Sequence, residues 1–479
     1  MYLNDCLESG PNLNPNIVDV LSRFRRWKYA VTADISKAFL QVELAEGDQD
    51  VHRFFWRKEK DDVMRIMKFV RVTFGIKCSP FLLSATIKHH LSLCPPSFVV
   101  EELRENLYVD DLLSGADTEI EAQELFVEAQ KVMGKAGMVL AKWKSNHSSI
   151  VGETVSDSKT DYVKILGVSW DSERDVFTFN CVDIGRDLEV TKRNVLALLA
   201  RVFDPLGFVL PFTVSARHLF QDIWREGVDW DEEIPMELKR TFRMWLDDLQ
   251  ELKNVSIPRR LLGTKWSECK ESIELHAFGD SSLRGYGACV YIVHRGTTVE
   301  SMLVRASARV APLEKKTLPR LELLGSLITA QLLKCVIKCL RLPDDVSYYC
   351  WTDSMVTLGW IKGTPSRWKP WVSNRVTTIQ SLTYANRWRH VAGKENPADL
   401  LTRGISAKEL VKSSFWWKGP EFLLQDIKEE AEVEFPNDDP LVEAEKRNVG
   451  VSLVCTEGAP VMLQFDRWST LNKAITTAH

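Results

Sequence analysis

Leu107-Tyr108-Val109-Asp110-Asp111-Leu112-Leu113 is the stretch that most restricts what this chain can become, because it sets two adjacent carboxylates among apolar and aromatic residues. Like charges so close raise each other's pKa unless a cation neutralises them, so the pair must either face water or hold a metal. A solvated β-turn accounts for an Asp-Asp dipeptide on its own, since Asp is a good turn former. The flanks alter that reading. Tyr108 and Val109 before the pair, with Leu112 and Leu113 after it, are strand formers that would aim both carboxylates out of the tip of a buried hairpin. A hard divalent ion suits such a tip.

The chain is long enough for this hairpin to be one part of several. At 479 residues, 45% of them hydrophobic, it has the size of two to four domains with real cores. A net charge of −4 argues against a nucleic-acid binder that works through bulk positive charge, so any polyanion must be met by local patches. The ten cysteines include no C-x-x-C pair and no His-x-His cluster accompanies them; neither a zinc module nor a disulfide framework is indicated, and a reducing compartment is expected. With no leader after Met1 and no apolar run of membrane-spanning length, neither secretion nor insertion is expected.

Asn16 to Arg26 predicts a helix with Val20, Leu21 and Phe24 on one face and Arg23, Arg25 and Arg26 elsewhere, an ordinary amphipathic helix rather than a phosphate contact. Tyr29-Ala30-Val31-Thr32-Ala33-Asp34 reads as a buried strand ending on a carboxylate, which by itself suits a helix N-cap. Arg53-Phe54-Phe55-Trp56-Arg57-Lys58 interleaves cations with aromatics, as a β-hairpin with one wet face or a single-strand stacking surface would. Ser79-Pro80 opens a helix expected to turn Phe81, Leu82 and Ala85 inward, and Glu119 to Gly134 is helical by composition. From Thr191 to about Arg260 the pattern is helical, rich in Trp and charge, and carries no catalytic signature.

A second set of acids follows. Ile273 to Asp280 has the period of a strand, and Tyr286-Gly287-Ala288-Cys289-Val290-Tyr291 reads as the return strand of a tight hairpin. Pro319 starts a long apolar helix running to about Leu340, with Glu322 near its beginning, where an acid also suits the helix dipole. Tyr348 to Asp353 is another buried strand ending in Asp, and Asn396-Pro397-Ala398-Asp399 places an acid on a helix start.

Tyr108-Val109-Asp110-Asp111 resembles the palm active-site box of reverse transcriptases, and the order of the surrounding boxes resembles the polymerase region of BEL/Pao-type LTR retrotransposons, from Leu3 to about Leu423. The resemblance implies an α/β (α+β) chain in four parts: a palm with an antiparallel sheet and truncated fingers over 1–170, a helical thumb or connection over 171–260, a ribonuclease H-like mixed-sheet domain over 261–405, and a linker toward a missing integrase over 406–479. It implies that Asp34, Asp110 and Asp111 hold two Mg²⁺ ions for phosphoryl transfer, and that Asp280, Glu322, Asp353 and Asp399 hold two more for cleavage of RNA in a hybrid. Phe39 takes the place of the aromatic that excludes a ribose 2′-hydroxyl, Gly75 lies in the box that packs against template and incoming nucleotide, and Lys142 neighbours the triphosphate. Leu140 to Lys144 and Ile165 to Val168 resemble the last palm segments and the hairpin that grips the primer end.

The implied partners are an RNA/DNA hybrid, a primer-template and dNTPs, with no membrane, in the cytoplasm, the nucleus or virus-like particles. With the fingers missing, polymerase activity is expected to be weak and hybrid cleavage to survive. His390 falls in a strand before the last helix, so no proton transfer is assigned to it, and Arg367 to Trp371 and Arg387 to Arg389 are either duplex contacts or solvated edges. Glu429 to Glu434 is an acidic run of solvated surface or disorder. The alternative reading is a non-catalytic relic that binds nucleic acid or protein. An aspartic protease is excluded, since Asp-Thr-Gly and Asp-Ser-Gly are both absent.

Overall fold

The computed structural model describes residues 2–60, 62–152, 162–179, 189–269, 272–426 and 440–447. The acidic run at Glu429 to Glu434 lies outside them. In chain order the strands are β1 (Tyr29–Ile35), β2 (Arg53–Trp56), β3 (Arg65–Lys68), β4 (Leu107–Tyr108), β5 (Asp111–Ala116), β6 (Leu140–Ser145), β7 (Tyr162–Ile165), β8 (Val168–Asp171), β9 (Val176–Thr178), β10 (Ser256–Pro258), β11 (Ile273–Ser281), β12 (Gly285–Arg295), β13 (Val299–Val310), β14 (Ser347–Thr352) and β15 (Trp388–His390).

The first sheet runs β4-β5-β1-β6 with antiparallel pairing throughout. Its inner strand β1 is a run of small and β-branched residues, and Ala30 and Val31 are fully buried. The helices Phe98–Asn106 and Glu119–Gly134 pack around it, the second starting on a Thr118/Glu121 capping box and stopping where Gly137 takes φ +71°. A second antiparallel sheet, β10-β9-β8-β7, turns tightly at Leu166 and Gly167, both at positive φ as a two-residue hairpin requires. Helices Lys192–Arg201, Leu210–Arg225 and Met236–Leu249 fill the region expected to be helical.

The third sheet has the order β13-β12-β11-β14-β15, antiparallel across the first three strands and parallel from β11 outward. Helix Leu318–Cys339 lies across β11 and β12. The approach depends on Gly279 and Gly325: a Cβ on Gly279 would stand 2.2 Å from Thr329 Oγ1, and one on Gly325 2.9 Å from the Asp280 carbonyl oxygen.

Four local expectations need correction. Helix Ile17–Phe24 buries Val20, Leu21 and Phe24 as expected, but Arg23, Arg25 and Arg26 are buried too. Arg25 donates to the carbonyls of Arg259, Leu303 and Val304, so it joins the first sheet region to β13 rather than facing water or phosphate. Asp34 lies within β1 and caps no helix; the short Ala38–Gln41 turn that follows starts from Lys37. The helix Ser79–Leu93 buries Leu83, Ile87 and Leu91, spaced by four, and leaves Phe81, Leu82 and Ala85 half-buried. The β2–β3 hairpin is wet on both faces, with the paired Phe55 and Ile66 74% and 65% exposed on one and Trp56 and Met67 44% and 45% exposed on the other, because no further strand joins its sheet among the described residues.

The first and third sheets share their cores. Trp27 packs with Leu261, Trp266 and the residues under helix Leu318–Cys339. Arg259, with no exposed side chain, donates to both oxygens of Asp175 at 2.6 and 2.8 Å and to the carbonyls of Phe24, Trp27 and Lys28. Asp117 at the end of β5 accepts from the backbone of Trp266 and Ser267. Residues 407–424, in the stretch read from sequence as linker, pack as short helices against this body: Trp416 is fully buried and its indole donates to the Phe208 carbonyl at 2.8 Å.

Candidate active sites

The first acidic cluster is assembled by strand register. Asp34 on β1 stands directly opposite Asp111 on β5, and Asp110 occupies the turn from β4, where Val109 is held at φ +56°. The Asp110 carbonyl accepts from Ile35 at 2.8 Å, which pins the turn against the strand carrying Asp34. Lys142 on β6 takes φ +51° beside a register shift and places Nζ 3.2 Å from Asp34 Oδ2. Burial, then the charges of Asp110 and Asp34, push the Asp111 carboxyl up to about 6, against the pull of Lys142. Burial and Asp34 raise Asp110 as well. Phe39 is buried and meets Phe74 edge-on at 4.9 Å. Gly75 takes φ +81° with open space where a side chain would be, so its backbone conformation rather than crowding calls for glycine.

The second cluster follows from parallel pairing. Gly279 on β11 is in register with Thr352 on β14, so Asp280 and Asp353 leave the sheet at the same end. Glu322 comes from the first turns of helix Leu318–Cys339, tied to β11 where Ser281 donates to the Leu321 carbonyl at 2.8 Å. Asp399 starts helix Leu400–Arg403. Burial pushes Asp280 to about 7, with Asp353 and Asp399 raising it and a hydrogen bond from Thr402 at 2.5 Å opposing. Burial also raises Asp353, Asp399 and Glu322, helped by neighbouring acids at Asp353 and Glu322. His390 lies in β15, opposite Thr352, and lowers Asp353 electrostatically.

Both clusters thus gather the acids read from the sequence. Their partners were not foreseen: Thr402 on Asp280, Ser354 on Glu322, and Arg403 on Asp399 at 2.6 Å. Thr402 and Ser354 hold acids 122 and 32 residues away, which no local pattern announces, and Arg403 pairs with Asp399 at a spacing common on any helix surface. Among the described residues, no three His, Cys, Asp or Glu side chains stand close enough to enclose one ion.

Residues 5–170 match the family model for reverse transcriptase (RNA-dependent DNA polymerase), a span that holds Asp34, Asp110, Asp111, Phe39, Gly75 and Lys142. Residues 191–354 match the Pao retrotransposon-like RNaseH-like domain, a span that includes Asp280, Glu322 and Asp353 and stops before Asp399. No curated protein matches. Among solved structures, the foamy viral protease-reverse transcriptase is similar in fold. Its dRH form in complex with double-stranded DNA aligns at 17% identity and a TM-score of 0.52 over 82% of this chain and 61% of its own. The form in complex with an RNA/DNA hybrid aligns at 17% identity and a TM-score of 0.50, over 83% of this chain and 48% of its own. This chain therefore spans about three-fifths or less of those proteins' length. The two family matches succeed each other along the chain: a reverse transcriptase domain over 5–170, then a Pao retrotransposon-like RNaseH-like domain over 191–354.

Proposed function

We propose that the chain works on nucleic acid at two centres: template-directed DNA synthesis at Asp34, Asp110 and Asp111, and hydrolysis of RNA in an RNA/DNA hybrid at Asp280, Glu322, Asp353 and Asp399. The observation that carries the reading is that residues far apart in sequence are brought together by two independent registers, Asp34 opposite Asp111 and Gly279 beside Thr352. Raised carboxyl pKa values at both clusters are what buried and crowded acids show before a cation arrives, and an all-oxygen donor set suits Mg²⁺. When bound, two such ions per cluster would activate an attacking oxygen and neutralise charge on the departing one.

The chain's own residues set the geometry. Phe39, edge-on against Phe74, is the proposed wall for a deoxyribose. Lys142, exposed at the cluster's rim, offers its ammonium to a triphosphate when Asp34 turns to a cation. Thr402, Ser354 and Arg403 hold their carboxylates until the same exchange occurs. Primer-template, hybrid and dNTP are the proposed partners, the cytoplasm the proposed place, and the division at 1–170, 171–260, 261–405 and 406–479 the proposed domain plan.

Incubation of the purified chain with Mg²⁺ and an end-labelled hybrid tests the reading. Cleavage is expected, reduced by about 10³-fold or more in Asp353→Asn. Absence of cleavage, or cleavage undiminished in the variant, refutes it. A second reading, nucleic-acid binding without catalysis, would be favoured by hybrid retention without cleavage.

A further inference from the structure

The segment Pro440–Arg447 lies on the RNaseH-like domain, and its contacts fall on cations near the second acidic cluster. Arg320 stands two residues before Glu322 in the same helix. Its guanidinium gives both Nε, at 2.8 Å, and NH2, at 2.7 Å, to a single oxygen of Glu445. Arg320 and Arg375 both lie over the Trp371 ring, at 5.1 and 3.7 Å from its centroid. Lys369 donates its backbone N–H to the Glu445 carbonyl and its ammonium to that of Ala444, both at 2.8 Å. Trp368 and Lys446 pair as an antiparallel bridge, and Arg447 donates to the Arg367 carbonyl.

The seat is only half used. Arginine's planar fork is best matched by two acceptor oxygens, yet Glu445 presents one and buries the other, Oε2, without a partner. Arg375 Nε is likewise buried and unpartnered. Arg320 alone meets the carboxylate, while Arg375 lies on the same Trp371 ring and Lys369 holds only backbone carbonyls, so cations gather here that a run of phosphates would balance. Among the described residues, the backbone hydrogen bonds that tie the segment to the rest of the chain are made with residues 367–369, the cationic stretch Arg367-Trp368-Lys369, while Val442 packs beside Gly359.

We propose that Pro440–Arg447 is an internal competitor for nucleic acid: Glu445 occupies on Arg320 the seat of a duplex backbone phosphate, and binding of a hybrid displaces the segment. The inference rests on the proposed function, from which it takes the hybrid as ligand. If the seated segment holds about nine molecules in ten closed, removing the competing charge tightens hybrid binding about tenfold.

The test uses the full chain with a fluorescently labelled RNA/DNA hybrid, chelator present to prevent cleavage, and anisotropy as readout. Glu445→Gln is expected to bind about tenfold more tightly than the unmodified chain and Arg320→Gln more weakly. On saturation with hybrid, the amides of Lys369 and Arg447 are expected to lose hydrogen-exchange protection. If the unmodified chain binds and Glu445→Gln binds equally, or the two amides stay protected with hybrid bound, the competition is refuted while the proposed function stands. If no form binds the hybrid, both fall.

Discussion

Asp280→Asn is expected to stabilise the metal-free protein, and by more at pH 8 than at pH 5. Asp280 is 7% exposed and its carboxyl is pushed, chiefly by burial, from 3.8 to about 7. An acid whose folded pKa is raised binds more protons folded than unfolded, so the fold is most stable below the ordinary value and loses stability as pH rises through the folded one. The shift corresponds to about 2 kcal/mol lost at pH 5 and about 4 kcal/mol at pH 8. Asn cannot ionise and escapes both losses, less about 1 kcal/mol for the altered bond from Thr402, a cost independent of pH. The variant's advantage should therefore grow by about 2–3 kcal/mol between the two pH values. Urea unfolding with chelator present measures it, and Mg²⁺ added at pH 8 should close the gap by neutralising the wild-type carboxylate. An advantage that does not change between pH 5 and pH 8 would refute the reasoning, because it would mean that Asp280 is not the buried, crowded acid described.

Mg²⁺ binding at the first cluster should weaken as pH falls through about 6, where Asp111 takes up a proton, and Lys142→Ala should move that midpoint upward by removing the cation that opposes the shift; calorimetric titration across pH reads both. Arg259→Ala should cost about 3–5 kcal/mol in urea unfolding, since it leaves the Asp175 carboxylate with only the neutral donors Trp170 and Asn146 and takes a donor from the carbonyls of Phe24, Trp27 and Lys28, and Arg259→Lys should recover little because one ammonium cannot replace the fork. Trp416→Ala should cost about 3–5 kcal/mol in the same assay, and a loss below about 1 kcal/mol would show residues 407–424 to be dispensable to the fold.

The sequence by itself determined the ordered set of acids and the elements that bear them. Tyr29 to Asp34 and Tyr348 to Asp353 are short apolar runs closing on Asp, and Glu119 to Gly134 carries its own cap and stop, so local chemistry was enough to read them. The fates of Arg25 and Arg259 were not legible: a charged side chain next to an amphipathic helix reads as solvated, and only the packing of the first sheet region on β13 supplies the carbonyls that let it be buried. The seating of the Ser79–Leu93 helix was missed because apolar residues lie on more than one of its faces, and burial alone chooses among them. The exposed β2–β3 hairpin, the hold of Thr402 on Asp280 and the contact of Glu445 with Arg320 likewise depend on what lies nearby in space. Residue type and period are properties of a segment, whereas desolvation and partnership depend on segments distant in the chain, and only tertiary structure brings those together.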